Sequence, residues 1–111
     1  MNRTITPSEL QSLLSQGAAV ALLDVRRAAA RSENPVAIPG ATWYDPETME
    51  RWIDRIDTAR EIVLYCVHGE SISNAVVDAL HDRGIDARFI EGGLDAWQAA
   101  GGAVESTRVE S

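Results

Sequence analysis

Cys66 is the only cysteine of the chain, and it stands where the apolar run Ile62-Val63-Leu64-Tyr65 gives way to the polar turn Val67-His68-Gly69-Glu70-Ser71. A run of β-branched and aromatic residues of that length reads as a buried strand, and the period-3.6 apolar spacing beyond it reads as a helix. The thiol is therefore expected at a strand-to-helix turn. The first N–H groups of a helix lack partners inside it and carry partial positive charge, so they would stabilise a thiolate, a persulfide or a small anion held against the sulfur. Such a position suits a nucleophile. A lone cysteine makes no internal disulfide, Cys-x-x-Cys redox pair or four-cysteine zinc site, so sulfur reaching Cys66 must leave to another molecule. Ser71 and Ser73 read as helix caps rather than nucleophiles, because no His/Asp pair stands at a recognisable spacing.

The elements that must position this turn follow from the apolar pattern. Thr6-Pro7-Ser8-Glu9 reads as a helix start, with Thr6 as N-cap, Pro7 at the first helical position and Glu9 closing a capping box; Leu10, Leu13 and Leu14 share one face, and Gly17 ends the helix. Ala19 to Leu23 is a continuous apolar run leading into Asp24-Val25-Arg26, as in a strand buried on both faces of a parallel sheet. Arg27 to Pro39, with Asn34-Pro35 and the following Pro39-Gly40, reads as a loop. Asp45-Pro46 opens a second helix with Met49, Trp52, Ile53 and Ile56 at helical spacing. Glu61 to Tyr65 is a strand. A helix carrying Ile72, Ala75, Val76, Ala79 and Leu80 on one stripe ends near Gly84. Ile85 to Ile90 is a further strand, Gly92-Gly93 a tight turn, and Leu94 to Ala100 a last helix. The tail from Gly101 to Ser111 is polar and expected to fray. Strands alternating with helices predict a mainly parallel sheet covered on both faces.

With 111 residues, 45% of them hydrophobic, the chain is expected to form one domain with its own core. No apolar run approaches the roughly 20 residues needed to span a bilayer, and Met1-Asn2-Arg3 leads into no signal-like stretch, so a cytoplasmic location is expected. A net charge of −7 argues against nucleic acid or an anionic membrane as partner. All ten basic residues are Arg, which excludes Schiff-base chemistry at a lysine.

Four segments together resemble a known family. Leu22-Leu23-Asp24-Val25-Arg26, Ile38-Pro39-Gly40-Ala41, Tyr65-Cys66-Val67-His68-Gly69 and Glu91-Gly92-Gly93-Leu94, followed by Trp97, stand in the order and spacing of a single-domain rhodanese, over roughly residues 5 to 102. The resemblance implies a three-layer α/β fold with a mainly parallel central sheet and helices on both faces. It implies that Cys66 accepts a sulfane sulfur as a persulfide and passes it to a thiol or cyanide, the thiol including a cysteine of a partner protein. It also implies that Val67, His68, Gly69, Glu70, Ser71 and Ile72 supply the cradle of N–H groups, that Asp24 and Arg26 brace the loop, and that no metal or organic cofactor is needed. The Tyr65 to Gly69 segment is further similar to rhodanese-like domains of chromate-resistance-associated proteins.

The departures from the family bear on substrate. Many active rhodaneses carry an Arg in this loop that meets an anionic donor, whereas Glu70, Ser71 and Ile72 fill those positions here, so weak activity with thiosulfate is expected. Counting back from Leu80 and Gly84 puts the usual loop serine at Ser73, one residue further than in common sulfurtransferases. Longer loops resemble those of dual-specificity phosphatases and arsenate reductases, but these need an Arg where Ile72 stands. Ala37 replaces a His that often precedes Ile-Pro-Gly. Two alternatives stay open: a weakly active or non-catalytic binding or sensing module, and a thiol-dependent arsenate or chromate reductase. His68 reads equally as a group tuning the thiol and as an exposed loop histidine. Trp43, Trp52 and Trp97 read as core or rim aromatics.

Overall fold

The structure, a computed structural model, describes residues 3–68 and 71–107. Thr4–Ile5 forms a short edge strand, β1, and Thr6 then turns the chain into helix α1 (Pro7–Ser15). The Glu9 N–H donates to Thr6 Oγ1 and the Thr6 N–H donates to Glu9 Oε1, each at 3.1 Å, so the capping box forms as the sequence predicts. Strand β2 (Val20–Asp24) follows, then helix α2 (Ala28–Glu33), the two-residue strands β3 (Val36–Ala37) and β4 (Thr42–Trp43), and helix α3 (Met49–Trp52). Strand β5 (Glu61–Tyr65), helix α4 (Ser71–Asp82), strand β6 (Ala87–Ile90), helix α5 (Gly93–Ala99) and strand β7 (Glu105–Ser106) complete the order.

The main sheet has the strand order β1-β6-β5-β2-β4, and every pairing in it is parallel. Successive residues of a strand point to opposite faces, which divides the apolar residues between two cores. Leu23 and Leu64 pack with Trp52, Val76 and Leu80 beneath α3 and α4, while Leu22, Val63 and Tyr65 pack with Leu10 and Trp97 beneath α1 and α5. Cys66, one step past Tyr65, belongs to the α4 side. The result is an α/β fold with helices on both faces of a parallel sheet.

Three expectations about local structure are corrected. The segment read as a loop from Arg27 contains α2, a helix with no buried residue and no side-chain cap, so it carries neither of the signals by which a helix is recognised in sequence. The second helix is broken into a 3₁₀ turn at Pro46–Thr48, the single α-turn of α3 and a second 3₁₀ turn at Ile53–Arg55, an arrangement that still buries Trp52, Ile53 and Ile56. The start of the tail is ordered rather than frayed: β7 pairs antiparallel with β3, Val104 packs on the core, and the Trp97 indole N–H donates to the Ala103 carbonyl at 2.9 Å.

Candidate active site

In a parallel sheet the carboxyl ends of all strands face the same way, and a crevice opens where neighbouring strands send their connections in opposite directions. From β2 the chain runs outward to β4, and from β5 it runs the other way to β6. The segments that leave these two strands, Val25-Arg26-Arg27 and Cys66-Val67-His68, therefore diverge. Between them lies a pocket of about 370 Å³ lined by Arg26, Arg27, Ala30, Glu33, Cys66, Val67, His68, Ser71 and Ile72. A larger hollow of about 440 Å³ lies at the opposite end of β5 and β6 and is lined by Arg60, Glu61 and Arg88, with Arg88 paired to Glu61. Only the former contains the thiol.

Cys66 is 6% exposed and lines the pocket. The Ser73 hydroxyl, fully buried on the first turns of α4, donates to Cys66 Sγ at 3.1 Å. A hydroxyl aimed at the sulfur holds it in one orientation within the pocket. Ser73 stands where counting along the sequence put the loop serine, although its expected role was that of a cap. Ile72 lines the pocket and packs against the α4-side core, so it serves as an apolar wall. Ser71 is exposed at the first position of α4 and also lines the pocket. Gly69 and Glu70 lie outside the described residues.

The Cys66 loop is held from behind by α5. The Leu94 N–H donates to the Cys66 carbonyl at 2.9 Å and the Asp95 N–H to the Val67 carbonyl at 3.2 Å, so amides left over at the start of one helix fix the turn that starts another. His68 Nδ1 lies 3.0 Å from Asp95 Oδ2, with both side chains largely exposed. The imidazole is thereby turned toward α5. Gly92 makes this junction possible, because it adopts φ +75° and a Cβ there would meet the Ala96 Cβ at 2.5 Å.

Asp24 and Arg26 form a buried bidentate pair, with Arg26 Nε and Nη2 donating to the Asp24 carboxylate at 2.8–3.1 Å. Arg26 also donates to the carbonyls of Asn34 at 2.9 Å and Val36 at 2.7 Å. Its donors are therefore divided between the Asp24 carboxylate and the carbonyls at the end of α2 and beyond, which is the satisfaction a buried guanidinium requires. Next to it Tyr65 is fully buried, and its hydroxyl accepts from the Ile38 N–H at 3.3 Å. Burial first, and the Asp24 charge second, push its phenol above the ordinary tyrosine value, so it stays neutral. Trp43 donates through its indole to the Arg26 carbonyl at 2.8 Å, and the Arg31 guanidinium stacks 5.1 Å from its ring. Trp43 thus ties β4 to the segment beside the pocket.

Sequence reasoning missed Arg27, Ala30 and Glu33. They reach the pocket only because α2 exists, and no periodic apolar signal revealed that helix.

A lone thiol just past the carboxyl end of a central parallel strand, bonded by a hydroxyl of the helix that follows, marks an α/β protein with a buried cysteine at a strand-to-helix turn. The model of the Rhodanese-like domain family matches residues 6–100, and the chain belongs to that family. It is 30% identical over 97 residues to the thiosulfate sulfurtransferase GlpE of Pseudomonas savastanoi pv. phaseolicola, covering 87% of this chain and 88% of that one. Among solved structures, a rhodanese-like domain protein from Staphylococcus aureus is 30% identical with a TM-score of 0.76, covering 87% of this chain and 91% of that chain. A rhodanese-related protein from Thermoplasma volcanium has a TM-score of 0.80 over 93% of this chain and 97% of that chain, at 22% identity, and so speaks for the fold alone.

Proposed function

We propose that the chain is a sulfurtransferase that carries sulfane sulfur on Cys66. The observation that supports this most is the Ser73 hydroxyl 3.1 Å from the buried Cys66 sulfur, inside a pocket open to a small donor. In the first half-reaction the thiolate attacks the outer sulfur of a donor and the leaving group departs with its electron pair. In the second, a thiol, cyanide or partner cysteine attacks the outer sulfur of the persulfide and restores the thiolate. The amides of Val67, His68, Ser71 and Ile72 are the described candidates to cradle the persulfide, with Asp24 and Arg26 as structural support.

Thiosulfate is a weak donor in this reading, although the GlpE relatives are named for it. The loop residues Val67, His68, Ser71 and Ile72 bring no permanent cation to the dianion, Arg26 is spent on Asp24 and two carbonyls, and Arg27 shares the pocket with the opposing charge of Glu33. Thiocyanate release from cyanide, followed with thiosulfate and with a persulfide donor, tests the reading. Activity lost in Cys66→Ser, with the persulfide donor faster, is expected; transfer that survives in Cys66→Ser would contradict it.

A further inference from the structure

We propose that His68, positioned by Asp95, gives a proton to the sulfur that leaves and takes one from the thiol that arrives. This rests on the sulfurtransferase reading and adds a proton path to it. Attack at divalent sulfur runs in line, so the leaving sulfur stands on the far side of the transferred one from Cys66. A group that meets it must lie nearer the mouth of the pocket than the thiol does. Cys66 is buried, His68 is largely exposed, and both line the pocket. The Ser73 hydroxyl, buried against Sγ, stands at the wrong end for this task.

Apart from the thiol itself, His68 is the one described residue lining the pocket whose side chain both gives and takes a proton near neutral pH. Arg26 and Arg27 carry guanidinium groups that keep their protons, and Glu33 brings a carboxylate, an acceptor. Asp95 grips the loop twice. Its N–H donates to the Val67 carbonyl at 3.2 Å, and its Oδ2 lies 3.0 Å from His68 Nδ1. The first contact places the backbone beside the imidazole, and the second orients the ring. With the Nδ1 proton held by the carboxylate, Nε2 at the opposite edge is left to exchange protons, and among the described residues it takes no other bond. Asp95 touches no reacting atom and is a positioning residue. It is itself fixed by α5, whose Leu94 and Trp97 are buried in the core.

The proton balances over the cycle. The Cys66 thiolate attacks the outer sulfur of R–S–SH, the Sγ–S bond forms as the donor S–S bond breaks, and R–S takes the electron pair and the Nε2 proton to leave as R–SH. Neutral His68 then takes the proton of R′–SH, R′–S⁻ attacks the outer sulfur of Cys66–S–SH, and Cys66 departs as thiolate. The proton given in the first half is regained in the second, with no added acid, base, oxidant or reductant.

Donors that differ in leaving group test this. An alkyl persulfide expels a basic thiolate, which leaves faster when protonated, whereas an alkanethiosulfonate expels a sulfinate that needs no proton. His68→Ala is expected to lower kcat/KM for the persulfide about a hundredfold more than for the thiosulfonate, the low end of what a positioned acid or base supplies, and added imidazole to restore part of the persulfide rate. Asp95→Asn, which keeps the backbone contact, is expected to lower the same ratio by about threefold to fivefold, the size of an exposed charge contact. A loss equal for the two donors, or no loss, would overturn the proton path and leave sulfur transfer standing. A ratio moved by His68→Ala and not by Asp95→Asn would overturn the positioning role. A wild type that takes sulfur from neither donor would overturn the proton path and the sulfurtransferase reading together.

Discussion

The hydroxyl of Ser73 bonds the Cys66 sulfur directly. It is buried, 3.1 Å from Sγ, and replaceable by Ala with the loss of a single atom. Ser73→Ala removes this hydrogen bond, an interaction that contributes roughly 0.5–1.5 kcal/mol, and is expected to slow alkylation of Cys66 by iodoacetamide at neutral pH by about twofold to tenfold. An unchanged rate, with the fold intact by circular dichroism, would mean that the hydroxyl does not support attack by the sulfur. At this scale much was legible: the lone thiol, the serine seven residues on and the Asp24–Arg26 pair all stand in recognisable local sequence. The partners of those groups were not. That Arg26 would bond the carbonyls of Asn34 and Val36, or that His68 would turn to Asp95, depends on contacts across the fold that no local pattern encodes.

Among the elements, the continuous apolar runs of β2 and β5 and the capped helix α1 were readable because burial on both faces and capping each leave a local mark. The two-residue strands β1, β3, β4 and β7 were not, since two residues carry no period. The β7 strap hangs on Gly102, where a Cβ would lie 2.2–2.4 Å from atoms of the Trp97 ring and whose N–H donates to the Trp97 carbonyl at 2.9 Å. Trp97 cannot yield cheaply, because it is buried in the α5-side core and its indole is tied to Ala103. Gly102→Ala is therefore expected to cost about 1–3 kcal/mol of stability through overpacking. Urea denaturation measures this, and a wild-type midpoint would show that the ring contact is slack.

For the whole molecule, the buried Tyr65 sets an alkaline limit. Its phenol titrates higher folded than unfolded, so the stability it contributes is fully present below the unfolded value of about 10 and is lost as pH rises beyond that. Thermal unfolding is expected to show a melting temperature that falls with pH above about 10, and a shallower fall in Tyr65→Phe. Equal slopes would assign the alkaline loss to other groups. The fold itself concentrates the chemistry: parallel strands bring the ends of β2 and β5 together, and the pocket follows from that convergence.

The central claim, sulfur carried covalently on Cys66, is tested most directly by intact-mass spectrometry after incubation with a persulfide donor and removal of excess. The account predicts a gain of one sulfur atom, about 32 Da, that cyanide or a thiol removes and that Cys66→Ser does not acquire. A wild-type protein that gains no mass, or a Cys66→Ser protein that gains the same mass, would contradict it.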